Sequence, residues 1–167
     1  MRTPSGVIID TDHGPRLRFE RQYPYPANEV WSALTTPERV ARWLGELRPS
    51  GDTTRLVMGD GDGEYADLTI VACERPTRIE VGWEFPDEAR THVLVTLVPT
   101  GAGHTTVVLE HTFPVGHAPS GLAGYGCGWQ HYVDSLGAYL AGDPLPEWAD
   151  YYPGLLDGWR ALVSSGG

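Results

Sequence analysis

The sequence predicts an α+β fold, a curved antiparallel β-sheet with two short helices and a long C-terminal helix across its concave face. Three observations lead there. From Thr53 onward apolar and polar residues alternate through five successive runs joined by Gly- and Pro-containing turns. Before Thr53 two short segments carry apolar residues at helical spacing. After Gly128 the period returns to helical, with Trp129, Tyr132, Val133, Leu136 and Leu140 on one face. An antiparallel sheet with its helices on one side satisfies that order.

Each element has a local reason. Residues 7–9 are a short β-branched run, and in residues 17–23 alternation puts Leu17, Phe19 and Tyr23 on one strand face. Pro24 and Pro26 stop that strand, and Pro26 suits the start of the helix carrying Val30, Trp31, Ala33 and Leu34. Thr36-Pro37-Glu38 restarts a helix as N-cap and first turn, with Val40, Trp43 and Leu44 as its apolar stripe. The five later strands are expected at residues 55–58, 64–72, 78–85, 91–99 and 105–113, linked by turns at 59–63, 75–77, 86–87 and 101–103. Residues 116–128 are rich in Gly and break the β pattern. Gly142-Asp143-Pro144 ends the long helix. The tail carries Trp148, Tyr151, Tyr152, Leu155, Leu156 and Trp159, too much apolar surface for a solvated linker, so it packs on the domain or forms a homodimer contact.

A chain of 167 residues is expected to be one domain, residues 1–167, with its core at about 7–142 and a packed tail at 143–163. A hydrophobic fraction of 41% with 20% charged residues belongs to a globular chain. The net charge of -10 opposes binding to nucleic acid, which rewards clustered Lys and Arg. No run approaches the roughly 18 apolar residues of a membrane span. The N-terminus lacks the apolar core of a secretory signal, so a cytoplasmic location is expected. Cys73 and Cys127 form neither a CxxC pair nor a zinc spacing and read as reduced, buried thiols.

Several segments resemble one known family. Phe19-Glu20-Arg21, then residues 26–39 (PANEVWSALTTPER) and Ala41-Arg42-Trp43, are similar to the opening of the START-like superfamily, in the branch of the heat-shock-protein ATPase activator C-terminal domain. Residues 76–83 (PTRIEVGW), Leu109-Glu110-His111, residues 128–142 and residues 148–153 (WADYYP) continue the likeness, which covers roughly residues 7–153. The resemblance implies a helix-grip fold enclosing a cavity that in relatives receives lipids, polyketides or plant hormones. Relatives also include chaperone ATPase activators, aromatase and cyclase enzymes, and self-sacrifice resistance proteins of antibiotic producers. Fold alone does not choose among these.

The candidate ligand-binding residues follow from strand parity and helix spacing. Ile79, Val81, Trp83 and Phe85 share one strand face, and Val93, Val95 and Leu97 another; both sets are expected to face the cavity. Trp83 suits stacking on a flat ligand or a place in the core. His111 shares parity with Val107 and Leu109, turning inward, either to orient a ligand oxygen or as a hydrogen-bonded structural residue. Trp129, Tyr132, Val133 and Leu136 are expected to form the opposite wall. Tyr125 and glycines 121, 124, 126 and 128 precede it and read as an easily unwound cavity mouth.

Other motifs fail on inspection. Asp60, Asp62 and Glu64 imitate a calcium loop, but Tyr65 and Val71 stand where Gly and the closing carboxylate belong, which leaves a solvated turn. The six His form no HExxH pair, and there is no GxSxG elbow, phosphate loop or GxGxxG, so neither a metal nor a cofactor is expected. The favoured function is binding of a small hydrophobic molecule, lipid-like or polyketide, held by apolar burial and one or two polar groups. The alternatives are a cyclase or aromatase using His111 or Tyr132, a chaperone ATPase co-activator, and an enediyne self-sacrifice protein whose backbone glycine reacts. No catalytic residue is assigned.

Overall fold

The computed structural model describes residues 2–59 and 64–165. Eight strands form one antiparallel sheet: β1 (Val7–Thr11), β2 (Gly14–Tyr23), β3 (Glu46–Ser50), β4 (Thr53–Val57), β5 (Tyr65–Glu74), β6 (Arg78–Glu84), β7 (Thr91–Pro99) and β8 (Thr105–Thr112). Their spatial order is β1-β2-β8-β7-β6-β5-β4-β3, so β2 leaves the meander to pair with β8. The helices are α1 (Ala27–Thr35), α2 (Pro37–Val40), α3 (Pro119–Ala141) and α4 (Leu156–Ser165), with a 3₁₀ turn at Trp148–Asp150.

Register carries the expected strand faces into the core. Leu17 lies opposite His111 and Phe19 opposite Leu109, while Val93 opposes His111 on the other side and Val81 on β6. All of these side chains are buried, with Trp83, Val95, Leu97 and Val107 on the same face. The outer face carries Glu80, which pairs with Arg78 and His92. A bulge between Ile70 and Ala72 interrupts the β5–β6 register, and such bulges bend a strand and increase its twist.

Helix α3 lies on the apolar face and is tied down along its length. The Tyr23 hydroxyl donates to the Val133 carbonyl at 2.8 Å, and Gly137 lets the two elements close, since a Cβ there would lie 3.3 Å from the Tyr23 ring. Gly126 admits the indole of Trp159, because a Cβ would stand 2.4 Å from that ring. Gln130 clamps both chain ends: its carbonyl accepts from the Ser5 amide and the Trp159 indole N–H, and its amide donates to the Thr3 carbonyl. Gly142, at φ 75°, closes the helix in the left-handed region.

Three expectations are corrected. Residues 46–50, to which the sequence pattern assigns no element, form β3 by pairing with β4, with Leu47 opposite Leu56. Pro49 sits there without harm because β3 is the sheet edge, where a missing N–H costs no ladder bond. The Gly-rich stretch is helical from Pro119, so the long helix begins ten residues before Trp129; tertiary packing of Leu122, Ala123, Gly126 and Cys127 overrides the weak helix propensity of glycine. Of the two cysteines, Cys127 is buried but Cys73 is exposed, and both are free.

Thr36 occupies the N-cap of α2 with Pro37 behind it, but its hydroxyl meets Ser32 rather than the helix amides. The tail packs on the domain, with Tyr151, Leu155 and Trp159 buried. Residues 60–63 of the expected 59–63 turn, including Asp60 and Asp62, lie outside the described residues. No described helix is long and apolar enough to cross a membrane.

Candidate functional site

Between the β6 side of the sheet and the first half of α3 lies an open cleft of about 410 Å³. Met58, Trp83 and Phe85 form the sheet wall. The helix wall is made by Gly121, Gly124, Tyr125, Gly128, Trp129 and Tyr132, positions three or four residues apart that share one helix face. Glu64, Glu88, Trp148 and Tyr152 complete the rim.

Glycine creates the space. A Cβ on Gly124 would meet nothing within 4 Å, and one on Gly128 would meet only Trp148, at 3.9 Å. Each glycine inside a helix costs roughly 1 kcal/mol relative to Ala. At Gly126 and Gly137 close packing explains that cost; at Gly124 no neighbour does, and the effect of its missing side chain is the open cleft.

The aromatic walls are braced from behind by His111, which is fully buried. The Trp129 indole N–H donates to Nδ1 of His111 at 2.9 Å, and Nε2 lies 2.6 Å from the Thr91 hydroxyl oxygen. Since Nδ1 accepts, the proton of the neutral ring sits on Nε2 and is donated to Thr91, whose own hydroxyl donates to the Trp83 carbonyl at 3.1 Å. One chain of hydrogen bonds therefore links the helix wall at Trp129 to the sheet wall at Trp83. Burial, with smaller contributions from His117 and His92, pushes the His111 pKa down to about 3, so the ring is neutral near pH 7.

Ring contacts continue the network. Trp83 and Trp129 approach to 5.3 Å between centroids, Phe85 and Tyr125 to 5.6 Å, and at the rim Trp148 stacks on Tyr152 at 6.0 Å. The Trp83 indole N–H is buried, with the Tyr125 hydroxyl as its polar neighbour at a geometry too loose for a full hydrogen bond. Burial raises the Tyr132 pKa to about 12 and raises that of Tyr125 as well, so both phenols are protonated donors at neutral pH.

Of the nine residues expected from sequence, Trp83, Phe85, Tyr125, Trp129 and Tyr132 come together on this cleft. The other four stand apart from it. His111 is behind the wall with both ring nitrogens engaged, so of its two expected places it takes the hydrogen-bonded structural one and not the ligand contact. Val95 and Leu136 are sealed in the core. Val133 turns toward Tyr23 and a separate groove, because it sits one step around the helix from Tyr132. The sequence pattern did not mark Met58, Glu64 or Glu88 for the cleft, nor the rim role of Trp148 and Tyr152. It named the glycines as a mouth but as an unwound one; their spacing of three and four residues was the available signal for a helical wall.

No group of His, Cys, Asp and Glu able to hold a metal occurs among the described residues. The family model described as Activator of Hsp90 ATPase homolog 1-like protein matches residues 24–141. The chain belongs to this family. Among solved structures, CalU16 from Micromonospora echinospora is 27% identical, with 95% of each chain covered and a TM-score of 0.74. DynU16, described as a protein in the dynemicin biosynthetic locus, is 33% identical over 79% of this chain, with a TM-score of 0.69. That match spans 49% of DynU16, about half its length. EF2215 from Enterococcus faecalis, at 14% identity and a TM-score of 0.77, shares the fold alone. A comparison with curated proteins returned no match.

Proposed function

We propose that this family member binds a small, ring-bearing hydrophobic metabolite, lipid-like or polyketide, in the cleft between β6 and α3. The observation that carries the reading is the pair of glycines 124 and 128 facing an aromatic wall: the helix gives up stability and leaves a volume of about 410 Å³ where side chains would otherwise pack. A flat molecule there would stack between Trp83, Phe85 and Trp129, gaining about 25 cal/mol for each Å² of apolar surface buried. The phenols of Tyr125 and Tyr132 supply donors to orient an oxygen. The likeness to DynU16, a protein in the dynemicin biosynthetic locus, supports a ligand from secondary metabolism.

A cyclase role finds less support. His111 is sealed from the cleft and neutral with both nitrogens occupied, and the two cleft phenols hold their protons too tightly to act as bases at neutral pH. The test is native mass spectrometry of freshly purified protein beside a Gly124→Leu variant. A small molecule retained by the wild type and lost from the variant, with the variant folded by circular dichroism, supports the reading. Retention by both proteins places the ligand elsewhere and overturns it.

A further inference from the structure

The charge on the cleft is one-sided. Glu64 and Glu88 are the charged side chains among its described lining residues, and no Arg joins them; the chain contains no Lys. Neither carboxylate takes part in a salt bridge among the described residues. Acidic groups such as Asp67, Glu46 and Glu29 sit against arginines, whereas these two keep their full charge toward the cleft. We propose that the cleft selects ligands carrying a positively charged amine on a flat apolar ring system and discriminates against carboxylates.

The inference rests on the binding role proposed above and names the ligand class of that same site. Two further features point the same way. The rim beside the carboxylates is aromatic, with Tyr132, Trp148 and Tyr152 offering ring faces that attract a cation. Deeper in, the cleft is walled by Trp83, Phe85 and Trp129, which take a flat apolar ring system. The ring system stacks there while the amine stays at the wet rim, where a charge need not be desolvated.

The field of the carboxylates reaches the cleft. Burial raises both phenols, and Glu88 adds to the effect on Tyr125 as Glu64 does on Tyr132. The two acids are not equivalent. Beyond Tyr132 a second groove shares Glu64 and carries Arg42 and Arg48; Glu46 occupies Arg48, but Arg42 remains to offset Glu64. Glu88 is therefore the stronger cation site.

The experiment compares three probes with one ring system: 9-(aminomethyl)anthracene, 9-anthracenemethanol and 9-anthracenecarboxylate, titrated calorimetrically at pH 7.5 and low salt. An exposed carboxylate contributes up to about fivefold in affinity for a cation, so the two together favour the amine over the alcohol by about tenfold, with the carboxylate probe weakest. Glu88→Gln removes more of that preference than Glu64→Gln, and the double variant brings the amine to the affinity of the alcohol. Equal binding of all three probes overturns the charge selectivity and leaves the cleft as a ligand site. A preference for the amine that survives in the double variant also overturns it. Failure of every probe to bind overturns both the selectivity and the site.

Discussion

The neutral, buried His111 makes the cleft acid-sensitive, and the size of the effect follows from its surroundings. In the folded chain protonation of Nδ1 would destroy the bond from Trp129 and place a charge beside Trp83, Phe113 and Tyr125, so the pKa is pushed down to about 3. In the unfolded chain it returns to 6.5. Between those values the unfolded state binds the extra proton, so stability is full above pH 6.5 and falls as the pH drops toward 3. At pH 5 this single group removes about 2 kcal/mol relative to pH 7.5, which lowers a urea midpoint by about 1 M for a domain of this size. The perturbation is His111→Gln, which keeps an acceptor and a donor but cannot titrate. Urea unfolding followed by tryptophan fluorescence at the two pH values gives the difference for each protein. His131, whose pKa burial also lowers, acts in both proteins and subtracts out. The wild type is expected to lose about 2 kcal/mol more than the variant between pH 7.5 and pH 5. Equal losses in the two proteins would refute the reasoning.

Gly126→Ala forces a Cβ into the fully buried Trp159 ring and is expected to destabilise by about 2 kcal/mol, whereas Gly124→Ala meets open space and is expected to stabilise by up to about 1 kcal/mol. Thermal melts separate them, since each kcal/mol moves Tm by about 3 °C at this chain length. Along α3 the glycine-bearing first half, open to solvent on its cleft face, is expected to exchange its amides faster than β7 and β8; hydrogen exchange by mass spectrometry showing equal protection would contradict a yielding cleft wall.

How much of this was legible in the sequence depends on what kind of signal each element carries. The strands of the meander were readable because one buried face enforces period-two alternation, as in Val93, Val95 and Leu97. Strand β3 was not, because residues 46–50 sit at the sheet edge with only Leu47 to bury, and an edge needs no alternating pattern. The start of α3 was hidden for a related reason: glycine at 121, 124, 126 and 128 lowers local helix propensity, and only contacts distant in sequence, such as Trp159 on Gly126, justify it. Parity placed His111 inward but could not tell that both nitrogens would be taken by Trp129 and Thr91, which lie eighteen and twenty residues away. The rim was least visible, since Glu88 and Trp148 reach the cleft from a turn and a tail whose positions follow from packing alone.

The account turns on the cleft being where a guest molecule sits, and the indole N–H signals of the six tryptophans report on that directly. In a proton–nitrogen correlation spectrum titrated with 9-anthracenemethanol, the signals of Trp83, Trp129 and Trp148 are expected to shift together. Those of Trp31 and Trp43, buried on the α1–α2 side, and of Trp159 behind Gly126 are expected to stay in place. Saturating shifts confined to Trp43 or Trp159, or none at Trp83 and Trp129, would contradict the assignment of this cleft as the binding site.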